Sequence, residues 1–207
     1  MKTDTQVLLE EKYQALTVEL AEHRLPSWEM LPDIELYMDQ VIAVMERHLS
    51  LYHTGEEENR LVTPSIINNY VKLKVIPAPV KKRYGREHLA YLFMICILKQ
   101  SLAISHVVTL LEQQRRVKSV EEIYNDFCHI YEQVVSHAHL SARRPELAVP
   151  EGLTTDIQLL YAAVVAVTGR FLCEGALSVL SAKDDKKQEK EKKAEKEKKA
   201  EKDEPKK

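Results

Sequence analysis

The sequence predicts a mainly α-helical protein, and three features of its composition support that prediction. Hydrophobic residues make up 44% of the 207 residues, which is enough for a real core, and only 5 residues are glycine. So few glycines argue against a turn-rich β-sandwich, whereas abundant Leu, Ala, Val, Glu and Lys favour helices. The 3 cysteines form no CxxC pair, which indicates reduced thiols and a cytoplasmic location.

Apolar residues recur at spacings of three and four, as expected for helices that bury one face. Asp33 is the expected N-cap of the second helix, whose apolar stripe includes Tyr37, and Ser119 is the expected cap of the sixth. Thr63 and Pro64 form a cap followed by proline at the first helical position. The predicted helices begin near residues 4, 34, 64, 86, 105, 120 and 154.

Charge is distributed unevenly along the chain, although the formal net charge is only −2. Residues 60–118 carry 11 basic and 2 acidic side chains, whereas residues 1–59 carry 4 basic and 13 acidic ones. A cationic segment within an acidic chain is typical of a module that binds a polyanion. The alternative is that these cations pair with the acidic segments on either side.

The last apolar helix is predicted to be a buried or subunit-interface helix. Leu153, Ile157, Leu160, Val164 and Val167 recur at alternating steps of four and three, which is a coiled-coil pattern, so we expect a homodimer through residues 153–171. A membrane span is not expected, because the uncharged run from residue 157 to 169 is shorter than the ~20 residues that a bilayer needs. The Lys/Glu-rich tail has no apolar face and is expected to be disordered or to form a lone solvated helix.

The central segment contains, in order, an amphipathic helix, a short capped helix with Asn68-Asn69-Tyr70, a ribbon bounded by prolines with Lys81-Lys82-Arg83-Tyr84, and another amphipathic helix. This order resembles the winged helix-turn-helix of MerR-type transcription regulators. In that family the positions of Asn68 and Asn69 hold arginine and tyrosine, the position of Lys74 holds glycine, and the wing is longer. Roughly residues 28–115 also resemble an uncharacterised bacterial family of domains of unknown function.

This resemblance implies that helix 63–74 enters the major groove of double-stranded DNA and that the basic wing 76–86 contacts phosphates. Asparagine suits the N6 and N7 atoms of adenine, so Asn68 and Asn69 are candidates for base readout. The remaining candidates are phosphate contacts, which fix register without reading sequence: Ser65, Lys72, Lys74, Lys81, Lys82, Arg83, Tyr84 and Arg86. For the asparagines, the alternative is an ordinary solvated helix face; for Tyr84 it is a packing role.

No enzymatic function and no cofactor is expected, since the sequence contains no Gly-rich phosphate loop, nucleophile elbow or HExxH motif. Cys128 lies near His129, His137 and His139, but these lack the paired spacing of zinc sites, so a packed thiol is expected. The rival function is a helical adaptor that binds an acidic protein partner. The expected regions are an acidic helix (1–27), a DNA-binding domain (28–118), a helical dimerisation or regulatory region (119–182) and the charged tail (183–207).

Overall fold

The computed structural model describes residues 4–52, 60–141, 157 and 160–172, and this part of the chain is mainly helical. It contains α1 (Asp4–Glu22), α2 (Met38–Leu49), α3 (Pro64–Lys72), α4 (Arg86–Leu98), α5 (Ile104–Arg115) and α6 (Val120–Ser141). Residues 160–172 are also helical and are called α7. Two 3₁₀ turns, Trp28–Met30 and Ser50–Tyr52, flank α2. The charged tail (183–207) and residues 142–156 lie outside the described residues.

The chain divides into two compact units, one of residues 17–171 and one of residues 1–16 with 172–207. In the smaller unit, the structure describes the first part of α1, where Val7 and Leu8 are exposed. The larger unit contains α2 to α6 and the core described below. None of the described helices is long and apolar enough to cross a membrane.

Helix α4 forms the centre of the larger unit. All ten residues from Leu89 to Leu98 are buried, because α2, α5 and α6 pack around this helix. The expectation of an amphipathic helix is therefore wrong here, since α4 has no solvent-facing side over these three turns. Burying side chains such as Phe93 and Leu92 stabilises the fold by about 1.5–3 kcal/mol each.

The cap predictions differ in outcome. Ser119 caps α6 as expected: its hydroxyl accepts from the Glu122 backbone N–H at 3.3 Å, and the Glu122 carboxylate accepts from the Ser119 N–H at 2.8 Å. Asp33 is not a cap, because α2 begins five residues later at Met38. The intervening Leu36 forms an antiparallel bridge with Tyr84, which keeps this segment extended.

A chain of buried and half-buried hydrogen bonds joins three distant parts of the larger unit. The Tyr52 and Tyr131 hydroxyls lie 2.8 Å apart, and the Tyr131 hydroxyl lies 2.7 Å from Nδ1 of His23. Nε2 of His23 donates to the His48 carbonyl at 2.8 Å, because a carbonyl can only accept. Burial lowers the pKa of the His23 imidazole below the usual range, so the ring is neutral; Nδ1 therefore accepts from Tyr131, and Tyr131 accepts from Tyr52.

Candidate nucleic-acid interface

The predicted recognition helix α3 exposes the expected polar face. The Thr63 hydroxyl accepts from the Ile66 backbone N–H at 3.2 Å, and Pro64 occupies the first helical position, so the cap prediction is confirmed. Ile67 and Tyr70 are buried on one side. The polar side chains on the other side are all exposed: Ser65, Asn68, Asn69 and Lys72. Leu73 is 52% exposed because it lies at the C-cap, where the chain leaves the helix.

Helix α3 ends in a Schellman motif with a lysine at the position that favours glycine. The Val75 N–H donates to the Tyr70 carbonyl and the Lys74 N–H donates to the Val71 carbonyl, both at 3.0 Å. Lys74 adopts the left-handed conformation with φ 57°. An L-residue pays roughly 1–2 kcal/mol for this conformation, which glycine adopts freely.

The predicted wing is a short β-hairpin with a two-residue loop. Val80 and Arg83 exchange both backbone hydrogen bonds, at 3.2 Å and 2.9 Å. Lys81 and Lys82 between them have φ 50° and 64°, the left-handed pair that a type I′ turn requires. Such turns strongly favour Asn-Gly, so two consecutive lysines occupy positions that suit neither of them. Both lysine side chains are exposed.

The base of the hairpin is anchored to the start of α2. Leu36 and Tyr84 exchange two backbone hydrogen bonds of 2.9 Å each. Tyr84 is only 2% exposed and its ring lies edge-on to His88, with centroids 5.4 Å apart. This burial favours the alternative stated for Tyr84, a packing role, over a contact with DNA: the side chain packs the ribbon against the core.

Two aromatic residues that were not among the candidates hold the arginines of the ribbon. The guanidinium of Arg83 lies 5.2 Å from the ring centroid of Tyr37 and donates to its hydroxyl at 3.2 Å. The guanidinium of Arg86 lies 5.7 Å from the centroid of Trp28. Tyr37 was placed on the apolar stripe of α2, but it precedes that helix and is 50% exposed. Only the pairing of Leu36 with Tyr84, which links distant segments, brings Tyr37 to the ribbon.

Among the described residues, the salt bridges between the cationic segment and its acidic neighbours lie at its two ends. Arg60 lies 3.8 Å from the carboxylate of Glu46, and Lys118 lies 2.6 Å from that of Asp126. In the described part of the chain, none of the lysines of α3 and the hairpin forms an ion pair: Lys72, Lys74, Lys81 and Lys82. Pairing with acidic flanks thus accounts for the ends of the segment and leaves its middle available to an external anion.

Of the candidate metal-binding residues, the structure describes the side chains of Cys128 and His129. Cys128 is half-buried with its thiol 3.9 Å from the Pro26 carbonyl, and burial raises the pKa of that thiol to about 12. The side chains of His137 and His139 lie outside the described residues. Within the described ranges, no group of three His, Cys, Asp or Glu side chains is close enough to hold a metal ion.

Residues 26–133 match the family model described as "Domain of unknown function (DUF1836)", and the chain belongs to that family. The matched segment runs from the residues before α2 into α6, so it contains α3, the hairpin and all the candidate contacts. The expectation of a domain-of-unknown-function family is confirmed, with wider limits than residues 28–115. Comparison with curated proteins and with solved structures finds no match.

Proposed function

We propose that this protein is a DNA-binding transcription regulator, in which α3 enters the major groove and the basic hairpin contacts phosphates. The observation that carries the proposal is the set of left-handed lysines. Among the described residues, the non-glycine positions with positive φ are Lys74, Lys81 and Lys82. Backbone strain of this kind persists where function requires the side chain, and all three side chains are exposed cations without an ion pair.

Charge and side-chain chemistry support the same assignment. Lysines at a hairpin tip and at a helix C-terminus can neutralise phosphates on either side of a groove, which gives affinity but no sequence preference. Asn68 and Asn69 supply what those contacts lack, because an exposed carboxamide can donate to N7 and accept from N6 of adenine. The resemblance to MerR-type regulators agrees in one detail: Lys74 stands where that family has glycine, and its backbone adopts the conformation that glycine favours.

A homodimer is part of the proposal, because two half-sites supply affinity that one small module lacks. The apolar seam proposed for it is partly used within one chain, since Leu160, Val164 and Val167 are buried there. A second copy would therefore have to contact other residues of α7, or replace these intrachain contacts. Light scattering on the full chain measures the oligomeric state directly.

The experiment is a salt titration of binding to a random-sequence DNA duplex, followed by fluorescence anisotropy. We expect Lys82→Ala to reduce the slope of log K against log [salt] by about 0.9, because one phosphate contact is lost. The matched control is Lys12→Ala, which removes the same charge outside residues 26–133 and should leave the slope unchanged. Equal slopes for the original protein and Lys82→Ala would exclude Lys82 as a phosphate contact.

The adaptor function is favoured by one specific observation. Ile34 is 66% and Val80 63% exposed. Ile34 lies two residues before Leu36, whose bridge to Tyr84 joins the hairpin to the segment before α2, and Val80 pairs with Arg83 within the hairpin. Exposed apolar side chains beside lysines suit an acidic protein partner as well as DNA. Absorbance at 260 nm relative to 280 nm distinguishes the two, because co-purifying nucleic acid raises the ratio and a bound protein does not. The double variant Ile34→Ser/Val80→Thr should weaken a protein complex and leave the salt slope on DNA unchanged.

A further inference from the structure

Tyr37 is an exposed aromatic residue whose backbone is fixed independently of its side chain. Its N–H donates to the side-chain amide oxygen of Gln40 at 2.9 Å, and its carbonyl accepts from the Val41 N–H at 2.9 Å. The preceding residue, Leu36, exchanges two backbone hydrogen bonds with Tyr84. None of these bonds involves an atom of the Tyr37 side chain, so the ring can be replaced without removing any of them.

The bridge between Leu36 and Tyr84 places Tyr37 and Arg83 opposite each other. In an antiparallel pair, successive side chains point to opposite faces, and residues directly across from each other have side chains in contact. Leu36 and Tyr84 are 6% and 2% exposed, so their side chains face the core. Tyr37 and Arg83 are both exposed. The pair therefore lies on the outer face of the ribbon, directly after the lysines of the hairpin tip.

The contact with Tyr37 leaves most of the Arg83 guanidinium available. Its central carbon lies 5.2 Å from the ring centroid, and one terminal nitrogen donates to the Tyr37 hydroxyl at 3.2 Å. A guanidinium has five N–H donors, so one hydrogen bond does not exhaust it. In the part of the chain that the structure describes, no carboxylate pairs with Arg83. Its remaining donors can therefore contact an external anion.

The other arginine of the ribbon, Arg86, has a different environment. It is half-buried, its Nε is buried, and its guanidinium lies 5.7 Å from the ring centroid of Trp28. Trp28 in turn lies against Tyr124, with ring centroids 6.4 Å apart. Arg86 is thus part of the packing around the start of α4, whereas Arg83 is exposed beside the hairpin tip.

We infer that Tyr37 is a positioning residue, which holds Arg83 in the arrangement that contacts a DNA phosphate next to the hairpin tip. This inference rests on the proposed function. An exposed arginine loses much side-chain entropy when it binds, and a contact that orders it in the free protein reduces that loss. The ring face attracts the cation and the hydroxyl fixes one nitrogen, so the planar group is presented in one orientation.

The test is a double-mutant cycle on the full chain, with a random-sequence DNA duplex and fluorescence anisotropy. We expect Arg83→Ala to reduce the salt slope by about 0.9. Tyr37→Leu should weaken binding about threefold, because Arg83 must then be ordered on binding. In the Arg83→Ala background, Tyr37→Leu should have no further effect. Tyr37→Phe, which keeps the ring, should lose less affinity than Tyr37→Leu. The matched control is Ile34→Ala, which shortens another exposed side chain of the same segment and should bind normally.

The outcomes separate this inference from the proposed function. Equal weakening by Tyr37→Leu in both backgrounds, or unchanged affinity in the original background, overturns the positioning role. If Lys82→Ala still reduces the salt slope in that case, the proposed function stands. A loss that disappears with Arg83→Ala supports the positioning role, even if Lys82→Ala leaves the slope unchanged and Lys82 is excluded as a contact. Absence of salt-dependent binding by the original protein overturns both.

Discussion

Replacement of the two hairpin lysines by Asn-Gly should stabilise the protein and weaken its binding to DNA at the same time. The double variant Lys81→Asn/Lys82→Gly places the preferred type I′ residues at positions whose φ is 50° and 64°. It also removes both positive charges from the tip of the hairpin. A purely structural hairpin would gain stability without any effect on binding.

The magnitude follows from the backbone conformation. Each left-handed lysine costs roughly 1–2 kcal/mol, and asparagine recovers part of this cost. Glycine recovers more of it but loses about 0.5–1 kcal/mol through the greater freedom of the unfolded chain. The net gain is about 1 kcal/mol, which raises the melting temperature of a chain of this length by ~2–4 °C. Loss of two phosphate contacts should reduce the salt slope by about 1.8.

Differential scanning calorimetry and a salt titration by anisotropy measure the two effects on the same preparation. The matched control is Lys81→Arg/Lys82→Arg, which keeps both the charges and the left-handed strain and should change neither quantity. A lower melting temperature for Lys81→Asn/Lys82→Gly would refute the turn assignment. A higher melting temperature with an unchanged salt slope would show that the strained lysines do not contact DNA.

Three further predictions concern stability. Lys74→Gly should raise the free energy of unfolding by about 0.5–1 kcal/mol in urea titrations, because the Schellman position favours glycine; a decrease would contradict the left-handed assignment. Tyr131→Phe should cost about 2 kcal/mol and Tyr52→Phe about 1 kcal/mol, since in the described chain Tyr131 bonds to both Tyr52 and His23, whereas Tyr52 bonds to Tyr131; the reverse order in urea denaturation would contradict the central position of Tyr131 among these hydrogen bonds. Burial lowers the pKa of His23 in the folded protein, so below about pH 6.5 the unfolded chain binds a proton that the folded protein does not. The free energy of unfolding therefore decreases as the pH is lowered. His23→Asn should reduce this dependence and the exposed-site control His106→Asn should not, as followed by melting temperature against pH.

Local signals in the sequence were sufficient for α3 and for the caps that depend on neighbouring residues. Thr63-Pro64 and Ser119 act through atoms three residues away, so their chemistry can be predicted without the rest of the fold. The exposed polar residues of α3 can likewise be predicted from helical periodicity alone. Asp33 failed as a cap because Leu36 pairs with Tyr84, 48 positions further along the chain, and no local pattern indicates that pairing.

The rest of the candidate site depends on contacts between distant segments. Tyr37 approaches Arg83 only after the hairpin has joined the start of α2. The left-handed conformation of Lys81 and Lys82 could not be expected, because their residue type disfavours it. Arg60 and Arg170, which are 110 positions apart in the sequence, line one pocket beside α3, and no local pattern in the sequence indicates that proximity.

Selection from a randomised duplex library tests the central claim most directly, because it requires both binding and base readout. We predict that the original protein enriches a defined sequence and that Asn68→Ala shifts or weakens the preference at one or two base pairs, typically at a cost of about 1–3 kcal/mol per mismatched pair. Lys82→Ala should keep the same preferred sequence and bind it less tightly. Enrichment of no sequence by the original protein, or identical preferences for the original protein and Asn68→Ala, would contradict the assignment of α3 as a recognition helix.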